Sequence, residues 1–483
     1  MNDGTGGSQN NDSGFLSLLT DLLATPFTMA TGWPLLLIVL VLLILVGLAA
    51  AALCNAANRR GRLAVFVGIT AGLQTAQIVK FHLFCFAVVL WLVLGVAREP
   101  APWRTRRWGA ALLVLGCAGL LTSTVLVGEM VNSTAAAGQF MSLAAMAAIL
   151  VGFGSRRDVR PLLYGLLATT TLASTMAILQ FAHVLPYKVF LGTRRPIGLY
   201  TEPDWLGSFS AIGVFLAHRC RVWPRRGWLR TPLIFLHIVV LTLAAARAAW
   251  LAVLVVGMLA WIVVRCVGRD RVPHVPRLPG GYATVVAALV VAGVALAAIP
   301  TLRDTLVERL SGLTSDNQEV GVQARQQQTA ALFELADESP VFGLGFSASG
   351  RVGISGKIAY LGQGENNLAS NWILGWWVDG GVLSVPLMLL FLVAAARRLA
   401  TTSGLVLCVV LVTSLFSNAM LIPIAWFALA LALMDTSRPP DDNAGPHGDT
   451  RMRVSGASGK LIAHDQPPTP RCHDGGTGVP TGA

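Results

Sequence analysis

Charged residues are scarce in this sequence. Asp, Glu, Lys and Arg make up 12% of its 483 residues, about half the ~25% of a typical soluble domain. That excludes an ordinary soluble enzyme, a disordered chain and a coiled coil. The seven cysteines, at Cys54, Cys85, Cys117, Cys220, Cys266, Cys408 and Cys472, stand singly, with no CxxC pair and no Cys/His cluster. Neither a metal site nor a disulfide framework is indicated. No Gly-rich P-loop occurs, so no cytoplasmic nucleotide is implied. No basic face with interleaved aromatics suggests nucleic acid. Residues 1–33 lack a basic n-region and do not resemble a cleaved signal peptide. No internal repeat is visible, which weighs against transporters built from duplicated halves.

Apolar residues, by contrast, form 54% of the chain, and the mean hydropathy is +0.65. A helix that crosses a bilayer needs ~20 mostly apolar residues. Spans are predicted near 34–53, 63–79, 81–97, 108–127, 139–153, 161–182, 205–218, 232–246, 248–264, 282–299, 373–395, 404–418 and 422–434. The count is 12 or 13, because the last two can form one broken span. The expected fold is an all-α integral membrane protein, a polytopic bundle with one large extracytoplasmic loop. Its segments are a polar to weakly apolar stretch (1–33), ten transmembrane helices (34–299), the loop with helical elements (300–372), the C-terminal transmembrane helices (373–435) and a disordered cytoplasmic tail (436–483).

The cations set the orientation. Six short loops, near residues 59–62, 98–107, 156–160, 219–230, 265–277 and 397–398, hold 21 of the 36 Lys and Arg residues, all arginines. Only Glu99, Asp158 and Asp270 share those loops. The positive-inside rule makes them cytoplasmic. The opposite face carries 128–138, 183–204 and the long 300–367, where five basic residues meet eight acidic ones. A loop of that length is commonly functional or disordered. Within it Val320 to Asp337 reads as a helix stopped by Pro340, and Pro340-Val341-Phe342-Gly343-Leu344-Gly345 as a tight turn. Trp372, Trp376 and Trp377 stand where the chain re-enters the membrane, as interfacial anchors.

Chemistry on that face has several candidates. Arg194 and Arg195, followed by Pro196, Gly198, Glu202, Pro203 and Asp204, form either an anion-binding rim with a carboxylate nearby or a solvated loop with interfacial cations. Arg247, in the hairpin Thr242-Leu243-Ala244-Ala245-Ala246-Arg247-Ala248-Ala249-Trp250, either snorkels to the interface or is a functional cation where small residues allow close helix approach. Arg325 lies on the outer-loop helix, where a solvent-facing charge is the simpler alternative. Glu365, Asn366, Asn367, Ser370, Asn371 and Asp379 either orient a hydroxyl at the mouth of a span or cap its helix. Separated arginines on one face suit a polyanionic ligand, because the guanidinium fork matches phosphate oxygens. His82, His183 and His237 are isolated and read as packing or interfacial residues.

In order along the chain, these segments resemble the O-antigen ligase and polymerase superfamily of membrane glycosyltransferases. Arg195-x-x-Gly198 followed by Glu202-Pro203-Asp204 is similar to the family's Arg-x-x-Gly-x-(Phe/Tyr)-x-(Asp/Glu)-Pro-Asn signature. Thr242 to Trp250 is similar to its Thr-x-Ser-Arg-Gly-Ala hairpin, with Ala246 in place of Ser. Arg325 and Pro340-x-x-Gly343-x-Gly345 resemble its outer-loop element. Asn371-Trp372-x-Leu374 and Asp379-Gly380-Gly381 resemble its His-Asn-x-x-Leu…Glu-x-Gly element, with Ser370 in place of His. The resemblance spans about 194 to 385.

That resemblance implies a GT-C-like fold in the bacterial cytoplasmic (inner) membrane and a metal-independent, cofactor-free glycosyltransferase of surface polysaccharide synthesis. Its partners would be a polyprenyl-diphosphate-linked glycan donor, a glycan or lipid acceptor, and the bilayer. Arg195, Arg247, Arg325 and Arg194 would hold the diphosphate. Glu202, Glu365 or Asp379 would take the acceptor's proton, Asn371 would position its hydroxyl, and Ser370 would be a poor substitute base. The competing possibilities are a transporter or flippase of a lipid-linked or anionic solute, which calls for charges near the membrane midplane, and a non-catalytic assembly partner.

Overall fold

The computed structural model describes residues 58–96, 107–127, 134–185, 195–219, 230–267, 320–358 and 369–434, apart from positions 75, 79, 80, 183, 354, 355 and 418. The expected spans at 34–53 and 282–299, segment 1–33 and tail 436–483 lie outside them.

The described chain is mostly helical. Helix α1 (Arg59–Gly72) starts where Asn58 Oδ1 accepts from the Gly61 amide at 2.8 Å, a side-chain N-cap. The predicted helix to residue 79 stops at Gly72 instead. Gln77–Ile78 (β1) pairs antiparallel with Phe81–His82 (β2), and the His82 ring shares a 3.2 Å hydrogen bond with the Leu421 carbonyl, which fixes this turn at one end of the bundle. Then follow α2 (Leu83–Trp91), extended by a π-helical turn at Leu92–Val96, α3 (Arg107–Val127), α4 (Thr134–Phe153), α5 (Arg156–Phe181), α6 (Pro203–Arg219), α7 (Arg230–Ala244) and α8 (Arg247–Val267). The outer-loop helix is α9 (Val320–Glu338). The last hydrophobic stretch is α10 (Trp372–Gly380), a 3-10 turn at Gly381–Ser384, α11 (Val385–Arg398), α12 (Thr402–Thr413) and α13 (Pro423–Met434).

Among the described residues, three helical stretches are long and apolar enough to cross a membrane: Ala136–Phe153, Arg156–Phe181 and Trp372–Arg398. Their packing is typical of an apolar interior. Phe140 meets Trp426 edge-on at 4.7 Å between ring centres, and Trp376 and Phe391 close the same cluster at 5.5 Å. Large apolar side chains also face outward, among them Val114, Leu115 and Val125 on α3 and Leu254 and Met258 on α8. Soluble proteins seldom expose such surface; lipid covers it at no cost.

Contacts define two ends. At the arginine-rich end, Arg60 reaches from α1 to the start of α5, donating Nε to Asp158 Oδ1 (2.9 Å) and Nη2 to Asp158 Oδ2 (2.6 Å) and to the Phe153 carbonyl (3.1 Å). Asp158 Oδ2 also accepts from the Ser155 amide and hydroxyl. The Arg60 guanidinium lies 5.5 Å from the Trp91 ring centre. At the same end Arg219, closing α6, donates to the Ala400 carbonyl after α11. The opposite end gathers the β turn, the loop before α6 and the α7–α8 hairpin.

Sequence counting places Arg60 and Asp158 in solvated loops; both are buried and paired. Removing one member of a buried pair strands the other, at about 3–5 kcal/mol. Asp158→Ala is therefore expected to lower unfolding free energy by about that amount, measured by denaturant titration in detergent micelles. Arg60→Met/Asp158→Asn should regain at least half of the loss.

Candidate active site

The loop before α6 is built on Gln180, near the end of α5. This buried side chain makes three hydrogen bonds to one turn of backbone: Oε1 accepts from the Ile197 amide (3.1 Å) and the Gly198 amide (2.8 Å), and Nε2 donates to the Gly198 carbonyl (3.2 Å). Gly198 has φ +61°, and a β-carbon there would stand 2.7 Å from the Ala173 carbonyl oxygen, so glycine is required on both counts. Tyr200 stacks on Phe209 at 4.5 Å. Pro203 opens α6, where the missing amide costs nothing, and Asp204 follows in the first turn.

This framework brings two predicted arginines together. Arg195, only 6% exposed, donates Nη2 to Asp204 Oδ1 at 2.7 Å. Arg325 of α9 donates Nη2 to Asp204 Oδ2 at 3.0 Å. One carboxylate thus carries a different guanidinium on each oxygen. Burial opposes the Asp204 charge, but the two arginines outweigh it and draw its pKa below the ordinary value. Burial pushes the Glu202 carboxyl upward, the Asp204 charge adds to the rise, and Arg325 and Arg195 offset it only in part.

Arg247 joins through a close helix approach. α7 ends at Ala244, Ala245 turns the chain at φ +48°, and Arg247 begins α8. Gly207 of α6 faces this hairpin so tightly that a β-carbon there would lie 2.4 Å from Ala246 Cβ and 3.3 Å from Ala249 Cβ. Asp204 precedes Gly207 by three residues, neighbouring positions on one helix face. Half-buried Arg247 therefore starts about one helical turn from the Asp204 level.

The outer-loop helix is fastened by a second buried glutamine. Gln328 Nε2 donates to the Val352 carbonyl (3.3 Å), and its Oε1 accepts from the Ser370 amide (3.0 Å). Arg325 lies one turn earlier on the same helix. Asn371 caps α10: its Oδ1 accepts from the Ile373 and Leu374 amides at 3.0 and 3.2 Å, so the carboxamide oxygen is committed and the NH2 group is its remaining donor. Asp379 is buried and accepts from the Ser349 amide at 2.7 Å. Around it the 340–345 turn docks on α10: the Leu344 amide donates to the Val378 carbonyl (2.8 Å), the Val382 amide to the Val341 carbonyl (3.0 Å), and the Ser123 hydroxyl to the Asp379 and Phe342 carbonyls. Asp379 thus anchors this turn. Arg194 and Glu365 lie outside the described residues.

Two residues absent from the sequence-predicted site, Gln180 and Gln328, hold it, together with Asp204, which the sequence placed in the rim without a role of its own. Asp204 was visible two positions after Glu202. Gln180 was visible as an amide inside an apolar run. Gln328 is one of three consecutive glutamines, and only packing selects it.

The molecule is thus a helical membrane protein with a cationic cluster, clamped by one carboxylate, at one end of its helices. Residues 232–385 match the family model described as O-antigen ligase, which supports an O-antigen ligase-like family. A search of curated proteins found no match. The family match supports a glycosyl-transfer enzyme with an O-antigen ligase or polymerase-like function, acting on a lipid-linked glycan and an acceptor in a membrane.

Gln180→Leu keeps the volume but leaves two buried amides unpaired, at about 1–3 kcal/mol each. Hydrogen exchange across residues 195–204 should rise at least about tenfold, since each 1.4 kcal/mol is a factor of ten, while exchange around Arg60 and Asp158 stays unchanged.

Proposed function

We propose that this protein is a multi-pass glycosyltransferase of the bacterial inner membrane that polymerises or ligates a polyprenyl-diphosphate-linked oligosaccharide on the extracytoplasmic face, in surface-polysaccharide synthesis. The observation that carries this is the pairing of Arg195 and Arg325 on Asp204, with the hairpin that carries Arg247 packed against the same helix at Gly207. Arg195 stands in the loop before α6, Arg247 at the start of α8 and Arg325 on the outer-loop helix, opposite the arginine-rich end that the positive-inside rule assigns to the cytoplasm. A solute transporter would call for its charges deeper along the spans, so the enzyme is the better fit.

In the proposed reaction the acceptor hydroxyl attacks the anomeric carbon of the donor sugar. A new C–O glycosidic bond forms, and the bond from that carbon to the diphosphate oxygen breaks. Arg195, Arg247 and Arg325 hold the diphosphate and meet the charge that grows on it as it leaves. Fixed cations aimed at developing charge need no reorganisation at the moment of reaction. The electrostatic role falls to these guanidiniums rather than to a metal. Glu202 takes the hydroxyl proton: it is a carboxylate within the electrostatic reach of Arg195 and Arg325, and its raised pKa makes it a stronger base than an ordinary glutamate. Asp379, engaged with the Ser349 amide, serves better as an anchor. Asn371 NH2 remains free to orient the acceptor, whereas Ser370 contributes its backbone to Gln328.

Arg195→Ala and Arg247→Ala should each reduce kcat/KM for a lipid-diphosphate glycan donor by about 100-fold or more, measured with reconstituted protein. Lysine at either place should not restore it, because the fork is lost. Full product from all of these variants would refute the assignment. Glu202 must be ionised to act, so the rate should fall as pH drops through its raised pKa. The acidic limb of the pH–rate profile is expected above the ordinary glutamate range and is expected to vanish in Glu202→Gln; an unchanged limb would remove Glu202 from the mechanism.

A further inference from the structure

We infer that Asp204 is a specificity residue: an internal anion, one oxygen on each of two arginines, that restricts the site to ligands carrying at least two negative charges and rejects the phosphodiesters of the surrounding bilayer. This inference rests on the assignment of the arginines as a diphosphate site.

The geometry is that of a phosphate group imitated by a side chain. Oδ1 meets Arg195 and Oδ2 meets Arg325, at 2.7 and 3.0 Å, and a phosphate presents the same two-oxygen face to paired guanidiniums. The two contacts are unequal. The Arg195 side chain is 7% exposed, whereas that of Arg325 is 48% exposed. An exposed ion pair is weak, so the Arg325 contact is the one that yields to an incoming anion, while Arg195 stays in place.

Charge then decides what enters. A ligand with one negative charge replaces one carboxylate by another anion of equal charge and gains no Coulomb energy. A diphosphate linked at both ends carries two charges and gains roughly double the attraction. Glycerophospholipids with a single phosphodiester carry one such charge each. A cluster of bare arginines at a membrane surface would fill with them. Discrimination of this kind needs an element that works against the wrong ligand as well as contacts to the right one, and Asp204 supplies it.

The test uses the full chain in nanodiscs, with a short-chain prenyl diphosphate as probe and phosphatidylglycerol as the monoanionic competitor. With wild type, raising phosphatidylglycerol from none to half of the lipid should change the Kd for the diphosphate by less than about twofold. With Asp204→Asn the same change should weaken binding by about tenfold or more, the scale of one lost charge-assisted contact. Asp204→Ser provides a second removal of the carboxylate if the amide variant does not fold. Wild-type binding that is itself strongly weakened by phosphatidylglycerol would overturn the inference without any variant. So would variants that remain insensitive to it, or that bind the diphosphate much more weakly in neutral lipid. Equal diphosphate binding by wild type and Arg195→Ala would instead defeat the assignment of the arginines themselves, so the two failures are distinct.

Discussion

The site depends on one carboxylate shared by two guanidiniums. Two arginines brought together without an anion repel by about 1 kcal/mol even in water, and by more within protein. Asp204 turns that repulsion into a clamp and joins segments far apart in sequence, the loop at Arg195 and the outer-loop helix at Arg325. Each partner has its own anchor. Gln180 fixes the loop, Gln328 fixes the outer helix against Ser370 and Val352, and the contact between Gly207 and Ala246 sets the height of the hairpin that carries Arg247. Because the anchors belong to different helices, the spacing of the cations is set by the whole bundle end rather than by any single loop.

The family match begins at residue 232, so Arg195, Glu202 and Asp204 precede it, while Arg247 and Arg325 fall inside it. The ion pair between Arg325 and Asp204 therefore links the matched segment to the part of the chain before it. The matched residues also include the 340–345 turn and α10, which the Ser123 hydroxyl ties to α3. The matched segment completes its site only by leaning on helices that lie ahead of it.

Much of this layout was legible in the sequence. Apolar runs predicted α3, α5, α6, α7, α8 and the stretch from α10 to α11 to within a few residues, because burial or lipid contact leaves no alternative for so many consecutive apolar side chains. The helix in the outer loop was legible from its Gln/Ala/Leu content and from Pro340. The break at Gly72 was not, since the β pairing of Gln77–Ile78 depends on a partner strand. Convergence of Arg195 with Arg325 was legible only as shared sidedness. Which acid joins them is decided by helix register: Asp204 lies in the first turn of α6 facing both arginines, and Glu202 lies just outside it. Asn371 illustrates the converse, a residue singled out for chemistry whose oxygen the helix end uses for itself.

Arg60 carries a broader consequence. Its charge is consumed by Asp158, its exposed surface is nearly gone, and an indole covers one side. A neutralised guanidinium of this kind exerts little pull on anionic headgroups. The pull on anions at that end of the bundle then comes from the arginines that remain in contact with solvent, and its effective positive charge is smaller than a count of cations suggests.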